Sequence, residues 1–385
     1  MAFQETLNFC SPTQLIYGPG SIAQLPTLLP ADDKVLIVTD KGLRKAGVID
    51  RVTHVLENAS IDFAIFDGAL PNPPSRCVHS GAQAFVKQQC GSLLGVGGGS
   101  PMDVAKMIGV VLTHGGRIDQ YLNGPGKITN AIPPLICVPT TYGTGSEVTP
   151  FAVLTNPKSH NKDPIISWKI APTAGILDAE LCTALPASVG GPTGMDALTH
   201  AIESYTNLLA SPMTDALAIE AIRLIAENLP IACANDFETE ATQNMLAAST
   251  MAGMAFSQTR LGNVHAMSHP VGAQFGVHHG LANAVLLPYV MEFNLTSRLE
   301  KFARIAEALG EDTHQCSRYD AACLAVEQVR QLNKDLDIPE KLRTLGVKVS
   351  GIAALARASM QSGNITVNPR KTTQKEVENI FKQAV

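Results

Sequence analysis

No Cys-x-x-Cys pair occurs in this chain, whose eight cysteines (Cys10, Cys77, Cys90, Cys137, Cys182, Cys233, Cys316, Cys323) stand far apart. That removes the spacing of a zinc knuckle or a dithiol redox centre and leaves reduced, mostly buried thiols. Also lacking is a basic footprint. The 29 Lys and Arg are scattered among 34 Asp and Glu, for a net charge of -5, so a phosphate backbone has little to bind to. The opening residues, Met-Ala-Phe-Gln-Glu-Thr-Leu, show no basic segment followed by an apolar stretch and a small-residue cleavage site. No uninterrupted apolar run reaches the roughly 18 residues of a spanning helix, and a soluble cytoplasmic protein without membrane partners is expected. What is present is a compact-enzyme balance, 45% hydrophobic and 16% charged, over 385 residues. That length exceeds what one core usually organises, so two domains are expected.

The two halves differ in periodicity. Up to about residue 185, short β-branched runs alternate with helical stretches: Lys34 to Thr39, Asp62 to Phe66 and Ser92 to Val96 read as strands, with a helix from Ser75 to Gln89. Such alternation implies parallel strands with right-handed crossovers, hence an α/β Rossmann-like domain. Beyond Leu185, apolar residues recur at three- and four-residue spacing in Met195 to Tyr205, Thr214 to Leu229, Glu240 to Phe256 and Ser297 to Leu309, which predicts an all-α domain. Ser211-Pro212 reads as a helix start, and Thr373 with Glu376 as a capping box. Pro186, Gly190, Gly191, Pro192 and Gly194 interrupt both patterns. The boundary is therefore placed there, giving an α/β domain over 1–187 and a helical domain over 188–385.

Gly97-Gly98-Gly99-Ser100-Pro101 follows a strand and opens a helix. Glycines let backbone approach a pyrophosphate, and the helix N-terminus favours its charge; the alternative is a tight turn. Ser100 is expected to cap that helix, with Pro101 at its first position. Gly18-Pro19-Gly20 lacks one of the amides a phosphate needs and reads as a structural turn. A second cradle is Pro139-Thr-Thr-Tyr-Gly-Thr-Gly-Ser-Glu147, at the end of another strand. Strand ends on one side of a parallel sheet can face one cofactor. Asp40, at the end of the first strand, is suited to a ribose diol and favours NAD over NADP; an exposed turn aspartate is the alternative.

In the helical half, Asp196 and His200 stand four residues apart on one helix face. His265 and His269 repeat that spacing, and His278-His279 adds two more imidazoles. Five of the ten histidines lie in these segments, a donor set suited to a borderline divalent ion such as Fe²⁺ or Zn²⁺.

Together these segments resemble the iron-containing (group III) alcohol dehydrogenase family. The resemblance runs from Asp40 through Gly97-Gly-Gly-Ser-Pro-x-Asp-x-Ala-Lys106, Pro139 to Glu147, Gly194-x-Asp-Ala-Leu-Thr-His-Ala-Ile-Glu203, His265-x-x-x-His269-Pro and His279-Gly-x-Ala-Asn283 to Asn368-Pro-Arg370. It implies a dehydroquinate-synthase-like fold with the active site between two domains, and a homodimer. It implies that Asp196, His200, His265 and His279 coordinate the metal (Fe²⁺, with Zn²⁺ or Mn²⁺ as substitutes) and that His269 lies beside the nicotinamide as catalytic residue. Around NAD it places Asp40, Asn72, Gly97, Gly98, Gly99, Ser100, Thr140, Thr141, Thr144, Thr149 and Lys162. The reaction implied is NAD-dependent hydride transfer between a small alcohol and its carbonyl. Phe151, Phe256 and His278 are candidate pocket residues, core packing being the other reading for the two phenylalanines. His278 stands where relatives usually have proline, and Tyr142 where alanine is common, so the particular substrate stays open. The alternative is a metal- and NAD-dependent lyase or cyclase of the dehydroquinate synthase kind, whose ligand set has glutamate in place of Asp196.

Overall fold

The structure is a computed structural model that describes residues 8–71, 73–122, 126–155, 162–182, 185–234 and 238–385; the side chains of 155, 162 and 163 lie outside that description. The chain divides into two compact units, one made of 12–185 with 236–250 and the other of 1–11, 186–235 and 251–385.

The first unit is built on six parallel strands: β1 (Gln14–Tyr17), β2 (Val35–Val38), β3 (Phe63–Phe66), β4 (Ser92–Gly97), β5 (Leu135–Pro139) and β8 (Ala174–Leu177), in the order β1-β8-β5-β4-β2-β3. Its helices are α1 (Leu25–Leu28), α2 (Lys41–Lys45), α3 (Val48–Asn58), α4 (Ser75–Lys87) and α5 (Gly99–His114). β2 and β5 are apolar at every position because both faces of the sheet are covered. Val35, Ile37, Leu94 and Val96 pack with α3 on one face, while Leu36, Val38, Leu93 and Cys137 pack with α4 and α5 on the other. An antiparallel hairpin, β6 (Phe151–Thr155) with β7 (Lys162–Ile166), is an addition that the strand-helix alternation did not predict.

The second unit is helical. It contains α6 (Ala187–Thr206), α7 (Pro212–Ala234), α9 (Asn263–Phe275), α10 (His279–Asn294), α11 (Leu299–Ala308), α12 (Arg318–Asp335), α13 (Ile352–Ser359) and α14 (Gln374–Ala384). The division between units runs through α8 (Thr239–Thr259). The capping box of Thr373 and Glu376 is present, and Ser211 Oγ accepts from the Thr214 amide at 3.3 Å.

Two local expectations are corrected. Pro192 and the glycines from Gly190 to Gly194 do not break the chain; they lie inside α6. Packing overrides propensity there, because a Cβ on Gly194 would sit 2.3 Å from Leu229 Cδ1. Ser100 does not cap α5, whose N-cap is Gly98 with no side-chain bond. The helix already begins at Gly99, so Ser100 and Pro101 fall within its first turn.

Candidate metal centre and nucleotide cradle

α6 presents Asp196, His200 and Glu203 at spacings of four and three residues, one stripe of a helix. All three are buried, at 4%, 5% and 5% exposure. α9 brings His265 in its first turn and His269 one turn later, and α10 begins at His279. Ligand atoms of Asp196, His265 and His279 all lie within 4.8 Å of one another. His265 Nε2 is 3.6 Å and His279 Nε2 3.7 Å from the same Asp196 oxygen, Oδ1.

His200 stands alongside this group. Its ring stacks on His265 with centroids 4.6 Å apart and on Phe256 at 4.5 Å. His269 lies with its ring centroid 5.3 Å from His279. His278 is exposed, and its carbonyl accepts the Ala282 amide at the start of α10.

Electrostatics mark the same point. Burial disfavours a charged Asp196, but His200 and His279, with His265, outweigh it and hold the carboxyl well below its usual range. Burial likewise opposes charge on His265, yet Asp196 and Glu203 push its pKa up to about 9. An anionic oxygen and two imidazole nitrogens thus face one another, with Asp196 and His265 buried and His279 partly exposed. They need a proton or a cation between them.

Asn283, one turn into α10, sharpens that reading. Its Nδ2 lies 2.5 Å from Asp196 Oδ1, 3.1 Å from His265 Nε2 and 3.2 Å from His279 Nε2, while its buried Oδ1 has no hydrogen-bond partner. With both rings neutral and protonated at Nδ1, two amide hydrogens cannot serve three acceptors, and lone pairs are then in excess at this spot. One carboxylate with neighbouring imidazoles fits a borderline divalent ion.

The candidate nucleotide cradle is built where β4 and β5 end. Gly97 has φ +148°, a conformation that favours glycine, and a Cβ there would lie 2.7 Å from Pro101 Cγ. A Cβ on Gly98 would meet Thr141 Oγ1 at 3.3 Å, and one on Gly99 would meet Thr144 Cγ2 at 2.9 Å. The glycine triplet and the Thr140–Thr144 loop therefore form one cradle. Thr140 N–H donates to the Gly97 carbonyl at 3.0 Å.

Below the cradle, Lys106 is fully buried. Its ammonium donates to Phe151 O at 2.7 Å, Ser146 Oγ and Thr149 O at 3.0 Å, and Thr149 Oγ1 at 3.3 Å. Asp103 accepts from Ser146 Oγ at 2.7 Å and from the Val153 amide at 2.9 Å. Thr149 and Phe151 are thus anchored through this network, which ties the loop to α5.

Asp40 Oδ1 accepts from Gly42 N and Leu43 N at 2.8 and 3.0 Å, capping α2. The Gly18-Pro19-Gly20 turn is held by Asp178, which accepts from Gly20 N and Ile22 N. Asn72 lies outside the described residues, as does the side chain of Lys162, whose backbone pairs with Thr155.

Sequence reasoning gave no role to Lys106, Glu203 or Asn283. A signal existed for two of them. Glu203 continues the Asp196–His200 stripe, and Asn283 stands four residues after His279.

Known proteins are similar to this chain in sequence and fold. Residues 12–179 match the model of iron-containing alcohol dehydrogenases, and residues 192–385 that of the Fe-containing alcohol dehydrogenase family, C-terminal part. The chain belongs to the iron-containing alcohol dehydrogenase family. A 1,3-propanediol dehydrogenase of Citrobacter freundii is 45% identical over 381 residues, covering 98% of each chain. The crystal structure of a 1,3-propanediol oxidoreductase superposes with a TM-score of 0.95 at 44% identity, covering 99% of this chain and 100% of that one. Sulfoacetaldehyde reductase from Bifidobacterium kashiwanohense, solved in complex with NAD⁺, gives 0.89 at 28% identity over 99% of both chains. Membership makes this protein an oxidoreductase of the alcohol dehydrogenase type rather than a lyase or cyclase, and its α/β unit with a helical unit is the family's fold. Among the described residues no helix is long and apolar enough to cross a membrane.

Proposed function

We propose that this enzyme transfers a hydride reversibly between NAD(H) and a short alcohol or diol and its carbonyl, using a divalent metal held by Asp196, His200, His265 and His279. The observation that carries the reading is the convergence of Asp196, His265 and His279 within 4.8 Å. Iron is the metal the family name suggests, with zinc or manganese as substitutes. The likeness to a 1,3-propanediol dehydrogenase supports short diols and hydroxyaldehydes as first substrates to try. On this reading 1–187 is the NAD-binding domain and 188–385 the metal-binding domain, in a cytoplasmic homodimer without nucleic-acid or membrane partners.

When bound, the cation supplies positive charge that polarises a carbonyl, and the nicotinamide supplies or accepts the hydride. The chain's own residues set the stage. Gly97, Gly98, Gly99 and Ser100, with Thr140, Thr141 and Thr144, offer a close backbone approach and hydroxyls to a pyrophosphate at the start of α5. Lys106 fixes the height of that loop through Ser146, Thr149 and Phe151. Asp40 stands at the end of β2, where a ribose diol is met and a 2′-phosphate is repelled; Asn72 and Lys162 complete the cofactor set. Phe256, 6% exposed and stacked on His200, keeps water from one side of the metal centre, while Phe151 and His278 are assigned to the substrate pocket. His269, beside His279, moves the proton between the alcohol oxygen and solvent.

The test loads the metal-free protein with Fe²⁺, Zn²⁺ or Mn²⁺ and follows NADH absorbance with short aldehydes, 3-hydroxypropanal included. Metal-dependent oxidation of NADH is expected. Turnover unaffected by chelation, or none with any aldehyde, would refute the proposal.

A further inference from the structure

We infer that Glu203 is the positioning residue that makes His265 a metal ligand: its carboxylate holds the proton on Nδ1 and so leaves the Nε2 lone pair for the ion. The inference rests on the metal reading above. Glu203 follows Asp196 and His200 on the inward stripe of α6 and is 5% exposed. One of its oxygens, Oε2, lies 2.6 Å from His265 Nδ1; the other, Oε1, accepts the Val264 amide at 2.6 Å. The carboxylate is thereby committed away from the metal centre, and it is not among the converging ligand atoms.

The helix start is arranged around this contact. α9 has Gly262 at its N-cap, with no side chain to serve its free amides. Glu203 serves the Val264 amide, and Asn368 Oδ1 accepts from Asn263 N at 3.3 Å. A Cβ on Gly262 would lie 2.9 Å from Glu203 Oε1 and 3.1 Å from Asn368 Oδ1, so the N-cap must be bare for the carboxylate to come in.

Donor and acceptor logic then sets the tautomer. An ionised carboxylate only accepts, so in the neutral ring Nδ1 must be the donor and Nε2 keeps its lone pair. Nε2 is the nitrogen aimed at Asp196 Oδ1 and Asn283 Nδ2, 3.6 and 3.1 Å away. Carboxylate–histidine–metal arrays fix ring orientation and raise ligand basicity in this way. Capping alone would need only Oε1; the second oxygen on the ring is what a purely structural role leaves unexplained.

In Glu203→Gln the carboxamide keeps one acceptor for two donors. Either Val264 N–H faces an amide NH₂, or His265 Nδ1 does, and the ring proton then moves to Nε2. The zinc dissociation constant, measured by competition with a chromophoric chelator, should rise about 10- to 100-fold. In a His265→Ala background the same substitution should add nothing, since Glu203 acts through that ring. An unchanged dissociation constant in Glu203→Gln, or an equal loss in the His265→Ala background, overturns the inference. If His265→Ala alone binds zinc as the parent does, the metal reading fails instead. Should Glu203→Gln not fold, proton NMR of the zinc-loaded parent decides. The His265 Nδ1 proton should appear far downfield and exchange slowly, the ring being 1% exposed, and its absence refutes the proposal.

Discussion

Replacing Gly99 with alanine puts a methyl group 2.9 Å from Thr144 Cγ2 and 3.3 Å from Thr144 Oγ1. Two effects on stability oppose each other. Alanine in the first turn of α5 favours the helix by up to about 1 kcal/mol, while crowding a packed neighbour costs about 1–3 kcal/mol. The net change should therefore stay within about 3 kcal/mol. On the proposed reading NAD binding has no such compensation, because the methyl would push Thr144 out of the cradle and stand where a pyrophosphate would approach. If the same 1–3 kcal/mol falls on the complex, the dissociation constant for NADH rises about 5- to 150-fold. Calorimetric titration reads that constant, and thermal unfolding without cofactor reads stability. A second change locates the cause: Thr144→Ser removes the Cγ2 that makes the closest contact, so Gly99→Ala with Thr144→Ser should recover much of the affinity. Wild-type affinity in Gly99→Ala would show that the triplet is only a turn. Weakened binding without recovery would show that the crowding is not against Thr144.

His265→Ala and His279→Ala should each lose most bound iron or zinc and nearly all turnover; full metal occupancy by elemental analysis in both would defeat the ligand assignment. Asp40→Gly should raise the NADPH-to-NADH ratio of catalytic efficiency by removing a like charge from the 2′-phosphate, at a capping cost of only a few tenths of a kcal/mol; an unchanged ratio means Asp40 serves α2 alone. Glu147 is buried, which raises its pKa above 4.5 although its hydrogen bond from Thr250 lowers it. Its protonated form stabilises fully below about pH 4.5, and that contribution fades as pH rises through the folded-state value, at most about 1.4 kcal/mol per pH unit. Glu147→Gln keeps an acceptor for Thr250 without a proton to lose, so its melting temperature should gain on the parent as pH rises above 4.5. A constant difference across that range refutes the reasoning.

The legible parts of the fold were those where local pattern and tertiary environment agree. Buried on both faces, β2 and β5 read as continuous apolar runs, and the helix after β4 was announced by its glycines. β1 and β8 are four residues each, too short to show a period, and the β6–β7 hairpin carries Pro164 inside a strand. α9 and α10 contain Pro270 and Pro288, which speak against a helix locally. Of the residues singled out by spacing, Asp196, His265 and His279 have ligand atoms within 4.8 Å of one another. Glu203 and Asn283 were invisible as chemistry because their roles depend on which atoms they meet across helices, and a carboxylate or amide on a helix reads first as a solvated side chain. The Asn368-Pro-Arg370 motif hid a structural task in the same way. Asn368 and Asn294 exchange amide hydrogen bonds at 2.8 and 3.0 Å, and Arg370 donates to the Phe293 carbonyl at 2.7 Å.

The capping of α9 from afar also ties the start of that helix to the closing of long stretches of chain. The Asn368 contact spans 105 residues of chain and the Glu203 contact 61, so both close only after distant parts of the helical unit have come together. The donors and acceptors that shape the start of α9 are all the chain's own, so the orientation of His265 is set by contacts between residues that lie far apart in sequence.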